Sequence, residues 1–272
     1  MEALGYRFDL QDHDYVRDHA FRGWQFDPRD KDLPEEVDPE KMGFRIEDQG
    51  RMGACQGHDL SSCCEWNIRQ EHGVEVQLSR WWAYRMTQRI DGISGDSGST
   101  ISGGLKLART VGLCREELCP YPSSYVQFGP NQKQMEDAAL YKCGAWVDFK
   151  NNPGDEWDSA LQWIAAYGTI SLGIVWPPGL NAEFIVETFT PSNGGGHALA
   201  IVGYVRINGT LYLKVANSWN KSWGRKGYFL VSRKAFLRML EHQYTACVGI
   251  TSMSSPVRKP RVWTPEAHSL VG

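Results

Sequence analysis

Apolar positions in the first half of the chain recur at helical spacing. Leu60, Cys63, Cys64, Trp66 and Ile68 punctuate an otherwise polar run from Leu60 to Gln70, which predicts a buried helix with Cys55 as its first residue. Leu78 to Met86 predicts a second helix with Ser79 as its N-cap. From Asp91 to Gly104, the glycines at 92, 95, 98, 103 and 104 break any period and predict a loop. A short third helix, Leu105 to Arg109, is predicted to stop at Gly112. Beyond Ala145 the pattern changes. A helix from Trp157 to Tyr167 is predicted after Pro153 and the acidic Asp155, Glu156 and Asp158. Strand-like apolar runs follow at Ile170–Val175, Ala198–Val202, Leu211–Val215 and Tyr228–Val231, with Asn208-Gly209 as a hairpin turn between the second and third. Phe236 to His242 reads as a short helix. Residues 251–272 read as a tail with little regular structure, and residues 1–32 as a polar leader rich in Asp and Arg. The pattern predicts an α+β fold, with a helical lobe over about 45–128 and a β lobe of antiparallel, barrel-like curl over about 129–250.

Composition narrows the function classes. Of 272 residues, 42% are hydrophobic and 22% charged, ordinary for a chain with a sizeable core. A net charge of −3 gives no electrostatic case for nucleic acid or an anionic membrane as partner. The N-terminus has neither a basic nor an apolar signal region, and the apolar stretch Ile170–Trp176 is too short to span a bilayer. These features predict a cytoplasmic or virion-associated product. No pair among the seven cysteines has zinc-ligand spacing, so neither metal nor cofactor is expected.

Candidate chemistry starts at Asp48-Gln49-Gly50-Arg51-Met52-Gly53-Ala54-Cys55-Gln56. A thiol on the first residue of a helix sits among unsatisfied N–H groups at the positive end of the dipole. That placement lowers a thiol pKa from about 8.5 toward roughly 3.5–7.5, and the thiolate is the reactive form. Gly50 and Gly53 permit a tight turn and close approach. Gln49 is positioned to aim an amide donor at a reaction product. A nucleophilic thiol needs a base and the base an orienting group. Candidates lie far downstream, in Gly194-Gly195-Gly196-His197-Ala198 and Asn217-Ser218-Trp219. His58, one turn after Cys55, is on the wrong side of the thiol to serve and reads as a surface or groove residue.

These motifs, in the order Gln, Cys, His, Asn, resemble those of the papain-like cysteine peptidases over about residues 33–250, and most resemble stand-alone bacterial and viral members. The resemblance implies a two-lobed fold with the site in the cleft between lobes. It implies Cys55 as nucleophile, His197 as its partner, Asn217 as orienter, and Gln49 with the Cys55 N–H as an oxyanion hole. Trp219 resembles the indole that shields the His–Asn bond. Gly103-Gly104 matches the family's Gly-Gly wall, where backbone pairs with extended substrate, and Leu105 and Ala198 match positions lining the main specificity pocket, implying an apolar substrate residue there. A bridge common in secreted relatives would need cysteines where this chain has Met52 and Ile101, as befits a reducing compartment. Two departures stand out: Gln56 replaces the usual aromatic residue, and Asn220 replaces a glycine. The expected partner is a peptide or protein substrate, with a further protein contacting the leader or tail. The leader reads as a surface strap anchored by Phe8, Phe21, Trp24 and Phe26, or as a lid over the cleft. Alternatives are a structural or assembly protein that uses the fold for docking, and a thiol amidase acting on cell-wall peptides.

Overall fold

A computed structural model describes residues 4–22, 33–151, 155–177, 180, 184–190 and 194–257. Trp24, Phe26 and the tail beyond residue 257 lie outside the described residues. In chain order the elements are α1 (His13–Asp18), α2 (Cys55–His72), α3 (Arg80–Asp91), α4 (Ile101–Thr110), α5 (Gln132–Ala138), β1 (Cys143–Asp148), α6 (Glu156–Ala166), β2 (Ile170–Val175), β3 (Ile185–Val186), β4 (Gly196–Ile207), β5 (Thr210–Ala216), β6 (Tyr228–Ser232), α7 (Arg233–Glu241) and β7 (Ala246–Met253).

The first lobe packs α3 and α4 against α2, and α2 also carries its opposite side onto β4 and β7. Ser79 caps α3 by accepting from the Trp82 amide at 2.9 Å, as the sequence predicts. The second lobe is a seven-stranded sheet in the order β1-β7-β2-β4-β5-β6-β3. Its pairings are antiparallel except the short parallel contact of β3 with β6. Its edges, β1 and β3, do not meet, so the expected curl stops short of a closed barrel. Two cores form: one spans the helices and the sheet face toward them, and the other lies between the sheet and α6 and α7. The lobes are tied by Asn67 Nδ2 donating to the Ile250 carbonyl at 2.9 Å and by Ser171 donating to the buried Asp59 carboxyl.

Several boundaries and elements differ from the sequence reading. α4 begins at Ile101, not Leu105, because Thr100 caps it, accepting from the Gly103 amide at 2.8 Å. β7 continues to Met253, into the stretch read as irregular, since β1 pairs with it as far as Met253. α5 carries a capping box, with Asn131 and Gln134 satisfying each other's backbone amides, in a stretch without a predicted element.

Candidate active site

Cys55 opens α2, as predicted, and its side chain is fully buried at the junction of the lobes. The Ala198 amide on β4 donates to its Sγ at 3.4 Å, which places the neighbouring His197 at the thiol's side of the cleft. His197 pairs through Nε2 with Asn217 Oδ1 at 2.8 Å. That same Oδ1 accepts from the Ser218 amide at 2.8 Å, so it must be the amide's oxygen. Nε2 therefore carries the ring proton, and Nδ1 is left as the basic nitrogen. Nδ1 is buried and has no hydrogen-bond partner among the described residues, as a poised base requires. Trp219 stacks on the ring at 4.5 Å and 27°, and Trp176 meets it edge-on at 5.0 Å and 84°. Trp223 closes the group 5.4 Å from Trp219.

Gln49 is buried and pinned. Its Oε1 accepts from Ser218 Oγ at 2.6 Å, and its Nε2 donates to the Met52 carbonyl at 2.8 Å. The amide thus has a fixed orientation at the turn leading into α2.

The leader runs through the cleft. The Gly5 carbonyl accepts from the Ser99 amide at 2.9 Å, the Tyr6 amide donates to the Gly196 carbonyl at 2.9 Å, and the Arg7 amide donates to the Ser99 carbonyl at 3.0 Å. The leader strand is thereby clamped between the Ser97–Ser99 wall of one lobe and the start of β4 in the other. Approach is close: a methyl group on Gly5 would lie 1.9 Å from the Gly53 carbonyl oxygen, and one on Gly196 would lie 2.0 Å from the Tyr6 carbonyl oxygen. Past the cleft, Asp12 pairs with Lys106 at 3.0 Å, and Trp146 Nε1 donates to the Val16 carbonyl at 3.0 Å. Of the four anchors expected from sequence, Phe8 packs on Tyr244 at 4.7 Å, while Phe21 is exposed and holds only through its amide, which donates to the Trp146 carbonyl at 2.7 Å.

This cover changes the electrostatics expected from the helix terminus. Burial pushes the Cys55 thiol up to about 12, with the Ala198 and Gly5 amides opposing it. Burial also pulls His197 down to about 4, against the bond to Asn217. Both groups are neutral near pH 7 while the leader is seated. The helix-terminus field is outweighed because no water reaches the thiol.

Several expected residues lie elsewhere than the sequence reading placed them. Gly103 and Gly104 are helical and face the lobe interior: a methyl group on Gly103 would strike Asp91 at 2.1 Å, and one on Gly104 would strike Gln56 Nε2 at 2.0 Å. The backbone wall is instead Gly98 and Ser99. Leu105 is in the core of the helical lobe, whereas Ile101, one turn earlier, faces the cleft against Gly173. His58 is buried rather than superficial, with Nδ1 against the Ala54 carbonyl at 3.0 Å, and it makes no contact with the thiol. Gln56 is a brace, its Oε1 accepting from Ser99 Oγ at 2.9 Å, so it fixes the wall from beneath. Asn220 holds φ +64°, a conformation asparagine tolerates where glycine is usual. All seven cysteines are buried and unbridged. Trp176 and Tyr6 were not anticipated. The signal for Trp176 was an indole directly following a strand-like, mostly apolar run.

Comparison with known proteins gives a consistent answer. Xylellain, a cysteine protease from Xylella fastidiosa, superposes with a TM-score of 0.70 at 24% identity, covering 92% of this chain and 96% of that one. Digestive procathepsin L 3 of Tenebrio molitor has a TM-score of 0.67 at 18% identity, over 92% of this chain and 76% of that one. These two likenesses establish the fold. In sequence, the chain is 25% identical over 245 residues to a cathepsin L-like proteinase of Fasciola hepatica, covering 86% of this chain and 68% of that protein. It is 26% identical over 204 residues to peptidase 1 of Psoroptes ovis, covering 72% of this chain and 60% of that protein. The chain thus spans about half to two thirds of the length of most of the curated relatives it matches. The family model described as papain family cysteine protease matches residues 33–250, from the segment before the Cys55 turn into β7, and the chain belongs to that family.

Proposed function

We propose that the chain is a cysteine endopeptidase acting through Cys55, His197 and Asn217, and that its own leader holds it closed. One observation carries the reading: the thiol on the first residue of α2 touches the residue after His197, whose tautomer Asn217 fixes with Nδ1 as the basic nitrogen. With the leader out, water and substrate reach the thiol, and the penalty on charge there falls. Proton transfer from Sγ to Nδ1 then gives a thiolate and an imidazolium. The thiolate attacks the peptide carbonyl, and His197 delivers its proton to the departing amine. The thioester is hydrolysed by a water that His197 deprotonates. The oxyanion is received by the Cys55 amide and the Gln49 Nε2, whose orientation Ser218 and Met52 hold. The peptide lies as an added strand along Gly98 and Ser99, the wall that now pairs with the leader.

The covered cleft supplies the test. Gly5→Val places a side chain where 1.9 Å separates a methyl from the Gly53 oxygen, so the leader strand cannot seat. Hydrolysis of a fluorescein-labelled casein is expected to rise about 100-fold over the unaltered chain, and to vanish when Cys55→Ala is added, as a population shift toward the open form requires. An opened chain without Cys55-dependent hydrolysis contradicts the reading.

A further inference from the structure

The side of α2 that faces the sheet carries a hydrogen-bonding residue at every fourth position: Cys55, Asp59, Cys63, Asn67 and Glu71. Residues four apart share one face of a helix, so these five form a stripe. Each makes a rung to the β lobe. Cys55 Sγ accepts from the Ala198 amide, and Asp59 accepts from Ser171 Oγ on β2. The Cys63 carbonyl accepts from Thr169 Oγ1 at 3.4 Å, and Asn67 donates to the Ile250 carbonyl. Glu71 accepts from the Ser252 and Met253 amides at 2.7 and 2.9 Å. Asp59 is the odd rung. It is a carboxyl only 5% exposed, and its donors are a hydroxyl, Ser171 Oγ, and a thiol, Cys63 Sγ at 3.5 Å. Ser171 is paired across the sheet with Ala200 on β4 and Val248 on β7, which share its face, so the floor beside the carboxyl is apolar. Its titratable neighbours are thiols: Cys55 one turn before it and Cys63 one turn after, with Cys64 on α2 and Cys247 on β7 within reach of its charge. The adjacent His58 turns its Nδ1 to the Ala54 carbonyl instead. Among the described residues no lysine, arginine or histidine pairs with Asp59. A carboxylate there would be a buried charge without a counter-charge, which is costly. Burial accordingly pushes the Asp59 carboxyl well above the usual carboxylate range, against its two donors.

We infer that Asp59 is a positioning residue for the Cys55–His197 pair, working as a neutral carboxylic acid that locks α2 to β2 one rung below the thiol. The inference rests on the peptidase reading above, since it takes Cys55 and His197 as the working pair. The path from the lock to the site is short. Two residues beyond Ser171, Gly173 is paired with Ala198, whose amide donates to Cys55 Sγ, and Ile174 is paired with His197. A shift of β2 against α2 at Asp59 is therefore delivered to both members of the pair. Neutrality is part of the role. An ionised Asp59 would draw water into the seam, and its charge, one helical turn from Cys55, would oppose the thiolate.

The test compares Asp59→Asn, which keeps the shape without the titration, and Asp59→Ala, which removes the rung, with the parent chain. The first readout is the folding constant from denaturant unfolding of the full chain between about pH 5 and 7. An aspartate that is neutral when folded but ionised when unfolded, with a pKa of about 3.9 there, makes the parent lose stability as pH rises. The ratio of the parent's folding constant to that of either variant should therefore fall about tenfold per pH unit. Either variant alone gives this slope, so one that fails to fold does not spoil the test. The second readout is the rate of Cys55 alkylation by iodoacetamide at pH 6 in the Gly5→Val background, which reports the pair without any substrate. Asp59→Ala should lower it about 10- to 100-fold, the size of a small misplacement, and Asp59→Asn should recover most of that loss. The third is kcat on labelled casein, expected to follow the alkylation rates. A folding ratio independent of pH, which marks an ionised Asp59, or equal alkylation in the parent and Asp59→Ala, overturns the inference. The expected folding and alkylation results with no hydrolysis in any chain would leave the positioning role standing and remove the peptidase reading; hydrolysis indifferent to Asp59 would do the reverse.

Discussion

Cys55 and His197 are equally buried, but the two lobes hold them by different means. On the helical side the thiol is fixed by backbone. It starts a helix, follows a turn braced by Gln49, and faces a wall that Gln56 props from below. On the β side the imidazole is fixed by side chains: one amide sets its proton, and indoles enclose it on two sides. A nucleophile needs a definite direction of approach, which a helix terminus supplies. A base needs a definite tautomer and a dry bond to its orienter, which an amide within an aromatic shell supplies.

Substitutions in the leader-opened chain separate the two kinds of support. The largest effect is expected for His197→Ala, which should lower kcat about ten-thousandfold, since without the base the thiol stays protonated. Gln49→Ala should lower kcat about 10²- to 10³-fold with little change in KM, the signature of a donor used mainly in the transition state. A matching rise in KM would show that Gln49 serves only to shape the turn. Trp219→Leu should lower kcat about tenfold by letting water compete for the His197–Asn217 bond, and should move the acid limb of the pH profile upward as His197 becomes better solvated. An unmoved acid limb would mean that the indole is only packing. The smallest effect is expected for Gln56→Leu. It leaves Ser99 Oγ without its partner and should cost about 1–3 kcal/mol in denaturant unfolding, with a modest rise in KM.

The covered site also has a pH dependence of definite sign. Under the leader, burial pushes the Cys55 thiol up to about 12. In the open form the same proton sits on the imidazolium of the pair and leaves at lower pH. The closed form therefore binds that proton more tightly, keeps its full stability below the open pair's pKa and loses it as pH rises from there toward 12. Limited proteolysis of the leader should accelerate with rising alkaline pH and be flat near neutrality.

The parts of the site that depend on local chain geometry were legible in the sequence. The turn glycines and helical period placed Cys55 at a helix start, and the Asn208-Gly209 turn brought His197 and Asn217 together at the far ends of one hairpin. What was missed depends on contacts between distant segments. Gly103 and Gly104 read as a flexible loop because glycine lowers helix propensity, but they are helical because only a bare backbone fits over Asp91 and Gln56. The thiol was expected to be acidic from its place on the helix, but the leader, folded back from the N-terminal segment, buries it and reverses the shift. His58 lies on a helix face that sequence spacing directs away from the thiol, and nothing local announced that Tyr121 would cover it.

The central claim is that Cys55 and His197 form a reactive pair that the leader keeps neutral. The most direct measurement is the pH dependence of Cys55 alkylation by iodoacetamide, read by peptide mass spectrometry in the unaltered chain, in Gly5→Val, and in Gly5→Val with His197→Ala. Negligible reaction is expected below about pH 9 in the unaltered chain, since burial holds the thiol near 12. Rapid reaction is expected near pH 5–6 in Gly5→Val, with loss of that acid reactivity when His197 is removed, as a low-pKa thiolate paired with imidazolium requires. Rapid alkylation at pH 5–6 in the unaltered chain, or an ordinary thiol profile in the opened one, would contradict it.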